Sequence, residues 1–210
     1  MILHDMDQRT PEWFAIRSGK LTGSDASSLV TPTGKPSSQY KGAIARNIAE
    51  HMGWQESDSS FTSFWMNRGI NMEEEALRWF AVEIEPVLAC GFIEDDTGLF
   101  GVSPDGIIKT DDGIIPVEIK CPMPSTLIKW HMDGGLPTEH IAQVHMAIEI
   151  CDAPYAYFMA YHPSIKPLLV KVERGTYTEA IEDGMHRYAV EYKSIYKEIT
   201  GVDYGKLQAL

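Results

Sequence analysis

The stretch Ser103-Pro104-Asp105-Gly106-Ile107-Ile108-Lys109-Thr110-Asp111-Asp112-Gly113-Ile114-Ile115-Pro116-Val117-Glu118-Ile119-Lys120-Cys121-Pro122 decides how the chain is read. Two β-branched runs flank Asp112-Gly113, a dipeptide suited to the tight turn of a hairpin. Residues two apart in a strand share a face. Glu118 and Lys120 therefore point one way, and Val117 and Ile119 the other. A two-residue turn at Asp112-Gly113 sets Asp105 opposite Lys120 and Ile107 opposite Glu118. Asp105, Glu118 and Lys120 then occupy one face, with cross-strand neighbours roughly 5 Å apart. Two carboxylates that close suit a divalent cation held by oxygen ligands. An ammonium beside them suits holding or deprotonating a water. Taken separately, Ser-Pro-Asp-Gly is an ordinary type I turn and Glu-x-Lys an ordinary solvated strand face. The hairpin that joins them makes the set chemically suggestive.

A third acid lies upstream. The pattern predicts a helix over about 71–83 with an apolar stripe of Ile70, Leu77, Phe80, Ala81 and Ile84. At 100° per residue, Glu73 falls within about 40° of Leu77, Phe80 and Ile84. A carboxylate on a core-facing stripe is costly unless a cation or hydrogen bonds satisfy it. The plainer alternative is that Glu73 complements the helix dipole from the first turn and stays hydrated.

Near the N-terminus, Thr10-Pro11-Glu12 reads as a helix start: a capping threonine, proline at the first position, an acid in the first turn. Trp13 and Arg17 then share a face, and Gly19 ends the helix. Thr22-Gly23-Ser24-Asp25 reads as a second helix start, where free N–H groups attract anions. Ser24 serves equally well as a simple cap, and Arg17 as a surface ion-pair partner. Downstream, Thr138 caps a helix to about Cys151 on which Gln143 shares the inward face of Ala147 and Ile150. A buried amide must find hydrogen-bond partners. His145 falls on another face.

Pro104-Asp105 with Glu118-Ile119-Lys120 resembles the PD-(D/E)xK nuclease motif. Ser103-Pro104-Asp105-Gly106, Glu118-Ile119-Lys120-Cys121-Pro122 and Ala142-Gln143-Val144, in this order, resemble the lambda-exonuclease (YqaJ-type) viral recombinase nucleases. Gly69-x-x-x-Glu73 matches that family's helix-borne metal carboxylate. The resemblance covers roughly residues 13–163 and implies a restriction-endonuclease-like core. It implies a Mg²⁺-dependent exonuclease (Mn²⁺ substituting) that digests one strand of duplex DNA from a 5′-phosphorylated end. Asp105, Glu118 and the Ile119 carbonyl would hold one ion, and Glu73 with Asp105 would help a second. Lys120 would act on the water. Arg17, Ser24, Ser103 and Gln143, with Trp13 beside Arg17, would surround the DNA end. A homotrimer around DNA, a single-strand annealing protein as partner, and a phage or prophage setting in a bacterial cytoplasm are further implications. An endonuclease of the same fold and a catalytically idle DNA-binding module remain open at this point.

The remaining features set bounds. At 210 residues, with 44% hydrophobic and 23% charged residues, the chain suits one globular α/β domain over 1–210. A central mixed sheet of about five strands, with helices on both sides, is expected. Val87–Ile93, Tyr155–Tyr161 and Leu168–Val172 read as strands, and Thr178–Thr200 as a long helix. No apolar run spans a membrane and no secretory leader is evident. Cys90, Cys121 and Cys151 are too scattered for a metal motif and read as reduced thiols. The net charge of −12 is awkward for a DNA enzyme. It is uneven, with a balance of +2 over residues 1–49 and −11 over 50–112. An acidic exterior with a small basic inner surface is the expected reconciliation.

Overall fold

The structure, a computed structural model, describes residues 1–54 and 64–205, with side chains for 1–54 and 72–205. Residues 53–63 read as a polar loop in the sequence; most of them, and the side chain of Ile70, lie outside the described residues. In chain order the elements are β1 (Ile2–His4), α1 (Pro11–Arg17), β2 (Leu21–Thr22), a 3₁₀ helix (Gly23–Ser28), α2 (Tyr40–His51), α3 (Phe64–Glu83), β3 (Phe92–Glu94) and β4 (Phe100–Val102). There follow β5 (Gly106–Thr110), β6 (Gly113–Lys120), α4 (Pro124–Asp133), a 3₁₀ turn (Thr138–His140), α5 (Ile141–Ile150), β7 (Tyr155–His162), β8 (Ile165–Glu173) and α6 (Thr176–Thr200).

Two mixed four-stranded sheets, β5-β6-β7-β8 and β1-β3-β4-β2, replace the single sheet of about five strands expected from the sequence. The expected strand over Val87–Ile93 divides between them. Leu88 exchanges both backbone hydrogen bonds with Ile107 at the edge of β5, at 2.9 and 2.8 Å. The chain then crosses over, and only Phe92–Glu94 enters the second sheet, between β1 and β4. Gly106 permits this close approach, because a Cβ there would lie 2.4 Å from Val87 Cγ2.

The β5–β6 hairpin forms, but its two turn residues are Asp111 and Asp112, with Thr110 paired to Gly113 and Gly106 to Val117. Thr110 Oγ1 donates to the Gly113 carbonyl at 3.1 Å and ties the turn one residue earlier than expected. The register therefore differs by two residues, and its continuation sets Asp105 across from Glu118 rather than Lys120. A shift of two leaves every side chain on its intended face, whereas a shift of one would reverse them.

Strands β6 and β7 run parallel, with Glu118 beside Phe158 and Ile119 beside Met159. The crossover between them carries α4 and α5. Phe158, Ala156 and Ala160 face this layer and pack with Leu127, Val144 and Ile148. Val117, Ile119 and Met159 face the other way and share the main core with Ala76 and Phe80 of α3. This alternation turns Glu118 and Lys120 toward α5 while their neighbours seal the α3 side. Helix α5 is apolar almost all round, with seven of its ten residues buried, as befits a helix enclosed between layers. His145 is part of that packing: its Nδ1 lies 2.8 Å from Thr178 Oγ1 of α6, and its ring packs on Tyr177. Among the described residues, no helix is long and apolar enough to cross a membrane.

Candidate active site

Helix α1 starts as its sequence dictates: Thr10 Oγ1 accepts from the Trp13 N–H at 3.2 Å, and Pro11 occupies the first turn. This sets Trp13 and Arg17 on one face, with the Arg17 guanidinium 4.0 Å above the centre of the Trp13 ring. Both reach the same hydroxyl. Trp13 Nε1 donates to Ser103 Oγ at 3.0 Å and Arg17 Nη1 donates to it at 3.1 Å. A second Arg17 nitrogen, Nη2, points to Thr22 Oγ1 at 3.4 Å. Burial lowers the Arg17 pKa from its usual value, partly opposed by Asp25.

The helix start expected at Thr22-Gly23-Ser24-Asp25 is a six-residue 3₁₀ helix with no side-chain cap. Short polar side chains compete for its backbone. Ser28 Oγ donates to the Asp25 carbonyl at 2.7 Å, and Thr22 Oγ1 donates to Asp25 Oδ2 at 3.1 Å. Ser24 thus offers its hydroxyl, 2.9 Å from Thr22 Oγ1, and not the dipole of a long helix. Thr138 likewise begins a 3₁₀ turn without a side-chain cap, and α5 starts at Ile141.

At the hairpin, Asp105 Oδ2 accepts from the Ile119 N–H at 2.6 Å. The N–H and C=O of a strand residue point to the same edge, so the Ile119 carbonyl faces the Asp105 side and not β7. Glu118 Oε1 accepts from Lys120 Nζ in a short ion pair and from Gln143 Nε2 at 2.6 Å. The inward amide of α5 is therefore satisfied by the motif carboxylate. Burial and the facing Glu118 raise the Asp105 carboxyl well above the ordinary range. Burial raises Glu118 too, against the pull of Lys120. Burial works to lower the Lys120 pKa, but Glu118 and Asp105 outweigh it and keep the ammonium above its usual value.

Trp13, Arg17, Ser24, Glu73, Ser103, Asp105, Glu118, Lys120 and Gln143 all line one cleft of about 170 Å³. Within it Glu73 Oε2 pairs with Arg9 Nη2 at 2.5 Å, while the Glu73 charge adds to what raises the Asp105 and Glu118 carboxyls. Among the described residues, no three acidic, histidine or cysteine side chains are gathered closely enough to hold a metal ion. The expected three-acid cluster is thus two paired acids and a third engaged by an arginine. The pair fits a hard cation in chemistry, since both groups are oxygen donors whose burial and mutual repulsion a cation would relieve. The cleft itself is not a basic surface. Arg9, Arg17 and Lys120 face Glu73, Asp105 and Glu118, a lining balanced in charge.

A family model described as a YqaJ-like viral recombinase domain matches residues 12–154. The chain belongs to that family. No curated protein sequence matches. Among solved structures, the alkaline exonuclease LHK-Exo of Laribacter hongkongensis is similar, with a TM-score of 0.74 and 27% identity over 90% of this chain and 96% of that one. LHK-Exo in complex with dAMP matches at the same TM-score with 26% identity, over 90% of this chain and 96% of that chain. A phage related exonuclease from Haemophilus somnus 129PT shares the fold, at 0.60 and 13% identity over 86% of this chain and 96% of its own. In this YqaJ-family chain the match begins one residue before Trp13 and runs past Gln143, so it spans the cleft's motif residues.

Gln8 and Arg9 also line the cleft and were not marked by the sequence. Gln8 Nε2 donates to the carbonyls of Cys90 and Pro104 at 2.8 and 3.0 Å, fixing the backbone just before Asp105. The available signal was adjacency to the Thr10 cap, but the two residues carry no periodic pattern.

The Asp105–Glu118 repulsion has a measurable cost. A carboxyl whose pKa is raised in the folded state penalises folding once ionised, so the penalty is present at pH 8. It vanishes as the pH falls toward the unfolded value, about 4. Without divalent cations, Asp105→Asn keeps an oxygen for the Ile119 N–H and removes the charge. It is expected to melt a few degrees higher than the wild type at pH 8, with about 2–4 °C for each kcal/mol relieved. The gain should disappear near pH 4. A lower melting point at pH 8 would contradict the repulsion.

Proposed function

We propose that the protein is a Mg²⁺-dependent exonuclease with a PD-(D/E)xK core that degrades one strand of linear duplex DNA from a 5′-phosphorylated end. The observation that carries this reading is the convergence of nine of the ten sequence-selected residues, all but Ile119, on one cleft. The similarity to LHK-Exo supports it, as does that enzyme's crystallisation with dAMP, a mononucleotide like the expected product.

Asp105, Glu118 and the Ile119 carbonyl would hold one Mg²⁺ or Mn²⁺. Glu73, released from Arg9, would join Asp105 at a second. When bound, the ions supply Lewis acidity and neutralise charge at the phosphodiester oxygens. The charge-balanced lining supports a need for added cations, because a polyanion gains little from a cleft with no net positive charge. Lys120 orients the attacking water and offsets the charge that develops on the phosphoryl oxygens. Gln143, bonded to Glu118, keeps that carboxylate aimed into the cleft. Arg17, Ser103 and Ser24 hold the terminal phosphate and so fix which phosphodiester is cut. The family setting favours work in a bacterial cytoplasm beside a single-strand annealing protein.

The test is digestion of linear duplex labelled at either the 5′ or the 3′ end, together with a covalently closed circle. Mononucleotide release from 5′ ends, with the circle intact, is expected. Cutting of the circle indicates an endonuclease, and no degradation with Mg²⁺ indicates an idle binding module. A chain of net charge −12 needs a way to stay on DNA. Closed assembly around the duplex provides one, and closed symmetry is the common form of homo-oligomers. Light scattering at micromolar concentration is expected to give three times the 23.5 kDa chain mass; a monomer alone would exclude the ring.

A further inference from the structure

We propose that Arg9 is a substrate-contacting residue. Its guanidinium binds a backbone phosphate of the DNA at the mouth of the cleft, and the Glu73 ion pair is its resting position. The proposal rests on the reading of DNA as substrate.

Four observations carry it. Arg9 has φ of +67°, in the left-handed region that L side chains disfavour. Glycine would take this conformation without strain. A bulky residue held there points to a use for its side chain. The backbone on either side is pinned. Gln8 donates to the Cys90 and Pro104 carbonyls, and Thr10 Oγ1 donates to the Asp7 carbonyl at 3.1 Å while capping α1. The strained residue is therefore aimed and not loose.

Position is the third observation. Arg9, with Gln8, Glu73 and Asp105, lines both the cleft and an adjoining hollow of about 270 Å³ that extends past Met6, Leu77 and Ala89. Asp7, Glu73, Glu74 and Asp105 also line this hollow, so Arg9 is the cation on which a strand leaving the paired carboxylates on this side would depend. The fourth is freedom to move. Of the three cations lining the cleft, Lys120 is tied to Glu118, and Arg17 is stacked on Trp13 and bonded to Ser103. Arg9 is 43% exposed and its recorded partner is Glu73. An ion pair that exposed is weakly held. The planar fork of five N–H donors matches phosphate oxygens. Moving from Glu73 to a phosphate would also return a carboxylate to the cleft, so that substrate entry and the readiness of Glu73 are linked.

The experiment measures binding without catalysis: fluorescence anisotropy of a 5′-phosphorylated duplex with Ca²⁺ in place of Mg²⁺, a larger oxygen-seeking cation of looser coordination geometry, across a salt series, for wild type, Arg9→Gly and Arg9→Lys. Each neutralised phosphate contributes about 0.7–0.9 to the slope of log affinity against log salt. Arg9→Gly is expected to lower the slope by about that amount and to weaken binding severalfold. Arg9→Lys should keep most of the slope. Arg9→Gly should melt no lower than wild type, because glycine relaxes the strained φ; Arg9→Asn, which also tolerates this region, repeats the measurement in a second background. An unchanged slope and affinity in Arg9→Gly and Arg9→Asn overturns the proposal and leaves the DNA reading standing. A wild type that binds no duplex overturns both.

Discussion

Asp105→Ala and Glu118→Ala are each expected to reduce Mg²⁺-dependent cleavage of linear duplex by at least on the order of a thousandfold. Each removes an oxygen donor from the paired carboxylates at the centre of the cleft. The two variants differ in what they leave behind. Asp105→Ala leaves the Ile119 N–H without its 2.6 Å acceptor but also removes a carboxyl that burial and the facing Glu118 raise. Its fold should persist. Glu118→Ala strips Lys120 and Gln143 of a shared acceptor. An uncompensated, largely buried ammonium can cost roughly 3–5 kcal/mol. Glu118→Gln is therefore the cleaner variant, since its amide oxygen still accepts from both neighbours while the charge is gone. Single-turnover cleavage, with circular dichroism as the control for folding, checks the series. Glu118→Gln that cuts at near wild-type rates would remove the paired carboxylates from the chemistry.

Much of this arrangement is legible in the sequence because it depends on parity. The alternation of Val117, Glu118, Ile119 and Lys120 determines which groups meet the core, and the observed strand keeps that order. The exact turn was not legible, because Asp111-Asp112 and Asp112-Gly113 are both acceptable turns. Moving the turn by one residue shifts the register by two, which costs nothing on either face. Register of this kind is settled by the Thr110 hydroxyl within the turn and by the approach of Val87 and Leu88 to Gly106, a contact between segments distant in sequence. The same holds for the division into two sheets, which a single Leu88–Ile107 bridge and a crossover decide. Helix α3 begins at Phe64 and not near 71, so Glu73 lies well inside it and not in its first turn; Ile84 of the expected stripe is exposed, and the partner of Glu73 came from outside the helix. Nothing in the pattern around Arg9 signals a left-handed arginine. The 3₁₀ helix at Gly23–Ser28 was hidden for a related reason. Serine and aspartate are good helix starters, but four of them in six residues divert the backbone.

Arg17→Ala is expected to slow digestion of 5′-phosphorylated duplex by roughly tenfold to a hundredfold, the worth of a charged hydrogen bond at about 1.5–3 kcal/mol. It should largely erase the preference over 5′-hydroxyl ends. The structure sharpens why. Stacking on Trp13 and the bond to Ser103 Oγ hold the guanidinium plane in place, and its recorded bonds use two of five N–H donors. The rest are free to meet phosphate oxygens in the planar, paired fashion that suits arginine. Arg17→Lys should recover little of the loss, because an ammonium keeps the charge but neither stacks in the same way nor presents a fork. Ser103→Ala tests the same geometry from the other side. It removes the hydroxyl shared by Trp13 and Arg17 without touching charge, so its effect should be smaller and in the same direction. Initial rates on matched 5′-phosphate and 5′-hydroxyl duplexes separate these cases. Equal rates for both ends in the wild type, or label released first from 3′ termini, would detach Arg17 from the terminal phosphate even with the paired carboxylates correctly assigned.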